Sequence, residues 1–437
     1  MSLVDMSMVS RLGPTALAAT GMGSLLLWVV MSMSVGIRTG VQTITARRLG
    51  EQKYKLCTNA LHNGIIISLI LGIPLSILGV IYSNSISNLF LNDPDVIKYC
   101  TDYLFIGYFG IIFVFISFAF QGFYSGIEQT KIHLIVTISS NLVNVYFNAG
   151  LIYGYHNINL YLNDTSYSYI SNLWIFFPKD GLEVKGAALA TLIASIFMTL
   201  QYSMFLFAKK IKSYMPTKIN IIIQSTSKQF FLGLPISIQE LVTMLAFSMF
   251  YKIIGIVGTK DLAASEIILT IAHASFLPAV GIGMAGATLV GKYLGEKQYN
   301  KASRVFIESI KWSFLMMGFW GVIFIFFPNK ILPIFSDNIE IVQKGIPCLK
   351  IVGYLQFFDA ISLTLFFLLA GAGNTRFPAI MNILLAWFIF LPATYFFSIY
   401  LDKGIVGAWF GFATWIVPSS IILSIKASTG SWKNIAV

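Results

Sequence analysis

Four acidic side chains fall inside long apolar runs: Asp5, Glu240, Glu266 and Asp359. A carboxylate in an apolar medium is costly and faces a cavity, a partner or an ion path. Burial favours its neutral form, which suits a group that takes and releases a proton. Ionised, it offers hard oxygen ligands to a small cation. Either Na+ or H+ could therefore be handled by such residues. Asn141, Asn144 and Asn148 add a polar stripe, because the spacing i, i+3, i+7 puts them on one helix face. Tyr354, Phe357 and Phe358 stand beside Asp359, and aromatic faces can hold organic cations, although most aromatics simply pack or face lipid. Arg38 also lies in an apolar run. It could pair with an acid or favour an anionic substrate. Lys252 and Lys350 are near enough to span ends to snorkel. His273 could line a cavity, or could simply be hydrogen-bonded.

The elements that position these groups follow from composition. Of 437 residues, 57% are hydrophobic and 11% charged, against about 25% charged in a soluble domain. Windows such as HLIVTISSNLVNVYFNAGLIYG (133–154) and IMNILLAWFIFLPATYFFSIY (380–400) are long enough for a bilayer span of about 20 residues. Backbone groups in lipid must bond internally, so these spans are expected to be helices. They lack the alternation of barrel strands. Hydropathy and turn signals place helices near 1–10, 17–46, 58–82, 97–125, 131–153 and 184–208. A second set falls near 229–256, 261–291, 304–328, 342–371, 377–400 and 404–426. The first helix is short for a span, and about 15–25 further residues would be needed to complete it. Pro278 and Pro392 fall inside spans, where each could kink its helix.

The expected fold is an all-α integral membrane protein of about twelve transmembrane helices, the first truncated. Residues 1–208 form one six-helix lobe, 209–228 a basic cytoplasmic linker, and 229–437 a second lobe. Lysine and arginine gather in the loops after even-numbered helices and in the tail. The charge bias of membrane loops then puts both termini in the cytoplasm of a multi-pass plasma or inner-membrane protein. The net charge of +11 lies in those short loops, so nucleic acid is not an expected partner. Three scattered cysteines give neither a metal spacing nor a disulfide framework. Neither a Walker loop nor a credible catalytic triad occurs, so an enzyme is not expected, nor any cofactor beyond a coupling ion.

The chain also repeats itself. RRLGEQKY (47–54) and KYLGEKQY (292–299) lie 245 positions apart. At that offset, 12 of the 42 positions from 13 to 54 are identical without a gap, where chance gives about three. Gly126, Thr130 and Lys131 fall on Gly371, Thr375 and Arg376. The chain is two copies of one six-helix unit. Both copies start on the same side, which makes the repeat parallel, a common build of transporters.

These residues resemble a known family. VDMSMVSRLGPTALAA (4–19) is similar to the first-helix signature of the multidrug and toxic compound extrusion (MATE) transporters. GFYSGIEQTK (122–131) and LLAGAGNTRFP (368–378) resemble its paired Gly-rich turns, and NVYFNAGLIYG (144–154), GAALAT (186–191) and ATLVGKYLGE (287–296) fit in the same order. The resemblance spans nearly the whole chain apart from its start and an insertion near 156–181. It implies a secondary antiporter that exports small organic compounds, often cationic, in exchange for Na+ or H+, acting as a monomer in membrane lipid. In the branch like NorM it implies cation-coupling roles for Asp359 and Glu240, which would be metal ligands if the ion is Na+. Glu240 here sits about one turn earlier than that pattern, on the same helix face. The resemblance further implies that Asp5 joins helix-five polar residues, here Asn141, Asn144 and Asn148, with Thr191 completing the set. Some relatives carry an aspartate where this chain has Asn148. Glu266 stands where relatives often carry glutamine. The competing reading is a lipid-linked oligosaccharide flippase of the same superfamily, whose cavity should be basic. Arg38 leans toward it, and the acids lean against it. A membrane scaffold without transport is a third reading.

Overall fold

The computed structural model describes residues 2–163, 168–211, 214 and 223–435. Residues 212–213 and 215–222 of the expected linker 209–228, and residues 164–167 of the insertion, lie outside the described residues. The described chain is helical, and eleven of its helices are long and apolar enough to cross a membrane. A short α1 (Ser2–Val9) precedes the first of them, and α2 (Pro14–Gly50), α3 (Tyr54–Phe90), α4 (Pro94–Gly126), α5 (Thr130–Leu162) and α6 (Glu183–Phe205) follow in chain order. The second set is α7 (Ile223–Val257), α8 (Thr259–Gly295), α9 (Tyr299–Phe326), α10 (Ile339–Gly371), α11 (Arg376–Tyr400) and α12 (Gly404–Ser428). The eight-residue α1 is the element that falls short of a span. Observed helices overrun the expected bounds at many ends, because amphipathic turns continue past the apolar stretch that hydropathy detects. Tyr54–Phe90 against 58–82 is the largest case.

Local signals explain the punctuation. Gly13 takes φ +115° before Pro14, which occupies the first turn of α2, where its missing N–H is not needed. Asn338 caps α10, its side-chain oxygen accepting from the amides of Glu340 and Ile341. The fifth helix of each copy loosens into a π-helical turn, Ala149–Tyr153 in α5 and Phe396–Tyr400 in α11. Pro392 lies between two such turns, the first being Ala386–Phe390. The freed backbone group is absorbed there as a wider turn rather than a sharp break. The insertion after α5 folds back on it: the Trp174 indole donates to the Tyr146 carbonyl over 2.9 Å and stacks on the Tyr146 ring.

The chain divides into two compact units. The first holds Met1–Arg38, Thr58–Tyr124 and Gln129–Thr226. Its interior is polar as well as apolar: Ser117 and Thr199 share a 2.9 Å hydrogen bond, and Tyr124 donates to the Tyr202 carbonyl over 2.7 Å. The second holds Thr39–Cys57, Ser125–Glu128 and Ser227–Val437. Within it, α8, α9 and α10 pack along one another, and α12 packs along α10.

The second unit also brings the two copies of the repeated motif together. Gln52 (φ 58°) and Lys297 (φ 59°) are repeat mates with the same left-handed backbone after their helices. A Cβ at Gly50 would collide with the Lys292 carbonyl, and one at Gly295 would collide with the Arg47 carbonyl. Only glycine permits this approach. Arg47 donates to the carbonyls of Ala372 (3.3 Å) and Ile435 (3.2 Å), which ties the C-terminal segment to the same junction. Trp432 from that segment stacks on Phe306 with centroids 4.4 Å apart.

Candidate functional site

Each unit contains an acidic polar site, buried in the first and half-buried in the second. In the first, α1 carries Asp5, which is fully buried. Asn144 and Asn148 are one turn apart on α5, and both are fully buried. The Asn148 amide donates to Asp5 Oδ1 over 2.6 Å and that of Asn144 over 3.3 Å. The Thr191 hydroxyl, from α6, donates to Asp5 Oδ2 over 2.6 Å. Tyr103 on α4 approaches the same oxygen at 3.5 Å, and its hydroxyl also shares a 3.1 Å bond with Ser24. A carboxylate in such a site has donors on both oxygens and no cationic side chain among them. Asn148 Oδ1 is buried with no hydrogen-bond partner among the described residues. Rotating that amide by half a turn would replace the donor facing Asp5 by an acceptor. The site therefore has a ready arrangement for either an anionic or a protonated Asp5.

In the second unit, α7, α8, α10 and α12 surround a cavity of about 270 Å³. Asp359 and Glu240 line it, with Gln239, Thr243, Gln356 and Ser419. Asp359 has no hydrogen-bond partner among the described residues. The amide nitrogen of Gln239 is held by Thr243 (3.1 Å), and that of Gln356 by Ser275 (2.8 Å). Fixing the nitrogens leaves both amide oxygens buried and without a partner among the described residues. Two carboxylates and two orphaned carbonyl oxygens in one cavity form a donor set suited to a hard cation. The aromatic wall includes Phe247, Phe412 and Trp415, which pack on one another. Among the described residues, no cluster of three or more His, Cys, Asp or Glu side chains exists for a transition metal.

The remaining sequence candidates are placed less centrally. The Asn141 amide donates to the Thr137 carbonyl of its own helix, one turn from the Asp5 cluster, and is not among the groups bonded to Asp5. Tyr354 is 60% exposed and is not part of the cavity that Asp359 lines, because it precedes Asp359 by five residues and so points to another face. Glu266 is exposed beside Tyr251. Arg38 lies over the Phe118 ring at 5.7 Å, a cation–π contact rather than a position in either acidic site. His273 does line the Asp359 cavity. Sequence reading missed Gln356, although it stands three residues before Asp359 on the same face, and Gln239, the neighbour of Glu240. Nothing in the sequence marks Tyr103.

A doubled set of membrane helices with an acidic polar site in each unit is the build of a membrane transporter. The family model described as MatE matches residues 1–149 and 235–396, and the chain belongs to that family. It is 25% identical to a probable multidrug resistance protein NorM of Thermotoga maritima, over 100% of this chain and 89% of that one. It is 23% identical to probable multidrug resistance protein YoeA of Bacillus subtilis, over 96% and 88% of the two chains. Its fold matches a solved MATE structure in the bent conformation with a TM-score of 0.85 at 19% identity, covering 98% and 91% of the chains. A eukaryotic MATE transporter matches with a TM-score of 0.83 at 17% identity, covering 99% and 92%.

Proposed function

We propose that this chain is an antiporter that exports organic cations in exchange for an inward-moving small cation, through a plasma or inner membrane with both termini cytoplasmic. The observation that carries the reading is Asp359: a carboxyl without a hydrogen-bond partner among the described residues, in a cavity with Glu240 and two orphaned amide oxygens. Such a half-buried group gains most from an ion, because no hydrogen bond among the described residues offsets its partial loss of water. The cavity volume of about 270 Å³ lies just below the range of about 300–1,000 Å³ typical of ligand pockets. In this state it suits an ion with its water better than an aromatic drug. Drug and ion then compete through the same acids, and each weakens the other's binding by the same factor. The curated relatives named as multidrug resistance proteins support the export of drugs. The basic loops support the assigned topology.

The test is ethidium efflux from cells, driven separately by a sodium jump and an acid jump. Native chain should respond to one of the two gradients, and Asp359→Asn should lose that response. A well-expressed native chain that moves no cation under either gradient would overturn drug export, and lipid-linked sugar transport would be the next activity to assay.

A further inference from the structure

A second cavity, of about 570 Å³, lies wholly within the second unit and apart from both acidic sites. It is bounded by the start of α7, by Ile44 of α2, by the turn into α11 and by the C-terminal segment at Ile435. Among the described residues, its charged lining is Lys228 and Arg376, with no acid beside them. Neither cation has an ion-pair partner among the described residues. Thr375 forms part of the wall and is 2% exposed, yet its hydroxyl makes no hydrogen bond among the described residues. The amides of Arg376 and Phe377 open α11 without a side-chain cap, so they too want an acceptor. Two cations, an unpartnered hydroxyl of a buried residue and uncapped amides all ask for a multivalent oxygen anion, and phosphate meets that description.

The rest of the cavity is apolar. Ile44, Phe231 and Leu232 contribute hydrocarbon surface, and Phe231 is 52% exposed. A free phosphate has no use for such surface. The glycerol and first methylenes of a phospholipid do. Basic pockets between transmembrane helices are where anionic headgroups bind. We propose that this cavity binds the phosphodiester headgroup of an anionic glycerophospholipid. Lys228 and Arg376 hold the phosphate, Thr375 and the amides opening α11 donate to it, and the glycerol lies against Phe231 and Leu232. The occupant would brace α7, the α10–α11 turn and the C-terminal segment, which Arg47 also ties to that turn. This assignment does not depend on which substrate the transporter exports.

The experiment uses the full chain, purified from vesicles holding equal phosphatidylglycerol and phosphatidylcholine, with bound lipid counted by native mass spectrometry. The native chain should retain phosphatidylglycerol preferentially. Lys228→Gln with Arg376→Gln should lower that preference about ten-fold. Lys131→Gln should leave it unchanged, because Lys131 is the repeat mate of Arg376 but does not line this cavity. Each reading is a ratio on folded protein, so a loss of yield does not obscure it, and the two single variants carry the test if the double variant fails to fold. An unchanged preference in the variants would overturn the proposal. So would full displacement of the lipid by millimolar inorganic phosphate, which would make the cavity a site for a soluble anion.

Discussion

Thr43 and Thr288 make the same hydrogen bond in exchange. The Thr43 hydroxyl donates to the Ala370 carbonyl over 3.1 Å, and the Thr288 hydroxyl donates to the Ser125 carbonyl over 3.1 Å. Thr43 and Thr288 are 245 residues apart, and so are Ser125 and Ala370. Each copy of the repeat thus supplies the donor for one bond and the acceptor for the other. This is the reciprocity of a two-fold contact, in which residue i meets j and j meets i, built inside one chain. The colliding Gly50–Lys292 and Gly295–Arg47 approaches follow the same rule. The repeated sequence is therefore a repeated contact, and both copies are needed to make it.

Reciprocity fixes a prediction about stability. Thr43→Val and Thr288→Val each leave a buried carbonyl one donor short, which costs about 0.5–1.5 kcal/mol. The two losses should be similar, with Thr288 slightly the larger because it also accepts from Gln42 over 2.8 Å. Gly295→Ala should cost more, because the obstructing atom is backbone and cannot retreat by changing rotamer. Thermal unfolding in detergent measures all three. A Thr43→Val variant as stable as native would mean that its hydrogen bond contributes nothing at this junction.

The turn beside this contact responds to pH. Partial burial pushes the Glu51 carboxyl up, but hydrogen bonds from Arg48 (2.7 Å) and Lys53 (3.0 Å) outweigh it and hold the group below the usual carboxylate range. The folded chain therefore prefers the Glu51 anion more strongly than the unfolded chain does. Its contribution is complete above the unfolded pKa and is lost as pH falls through the folded one. Glu51→Gln should be slightly less stable than native at neutral pH, by no more than about 1 kcal/mol for so accessible a group. The gap should close in acid. Melting curves of both proteins from neutral to acid pH test this, and a gap that widens in acid would contradict it.

Placement also predicts what does not matter. Tyr354, 60% exposed, and Asn141, bonded within its own helix, belong to neither acidic site. Tyr354→Ala and Asn141→Ala should leave ion-driven efflux within about two-fold of native, as surface changes away from special features do. Initial efflux rates at matched expression decide it. A ten-fold loss in either variant would put that residue back in the transport path.

The contrast between Asn141 and its neighbours shows what could be read in the sequence and what could not. Spans were legible because hydropathy reports the bilayer directly, and the doubling was legible because RRLGEQKY and KYLGEKQY keep one register. Asn144 and Asn148 were legible as a face. Which asparagine reaches Asp5 depends on how far α1 sits along α5, and no periodicity encodes that depth. Gln239 and Gln356 were missed for a related reason. Their importance lies in oxygens left over after Thr243 and Ser275 have bound the nitrogens, and those partners come from helical turns and from a separate helix. The cavity at Lys228 and Arg376 joins segments far apart in the chain, so neither residue stands out alone.

The two acids should separate stability from coupling. Asp5 accepts from Asn144, Asn148 and Thr191. In Asp5→Asn, one oxygen becomes an amide nitrogen facing a donor, and a buried donor left without an acceptor costs about 1–3 kcal/mol. Rotation of the Asn148 amide offers its orphaned oxygen and should recover part of that loss, so Asp5→Leu, which offers no partner to any of the three, should be worse than Asp5→Asn. Asp359 bonds to nothing among the described residues, so Asp359→Asn breaks no hydrogen bond and should leave the melting temperature unchanged or raised. Both Asn variants should nonetheless lose ion-driven efflux if both carboxyls handle the coupling ion. Melting and efflux measured on the same preparations give the comparison. If Asp359→Asn melts well below native, Asp359 is holding the fold together rather than waiting for an ion, and the coupling role assigned to it fails.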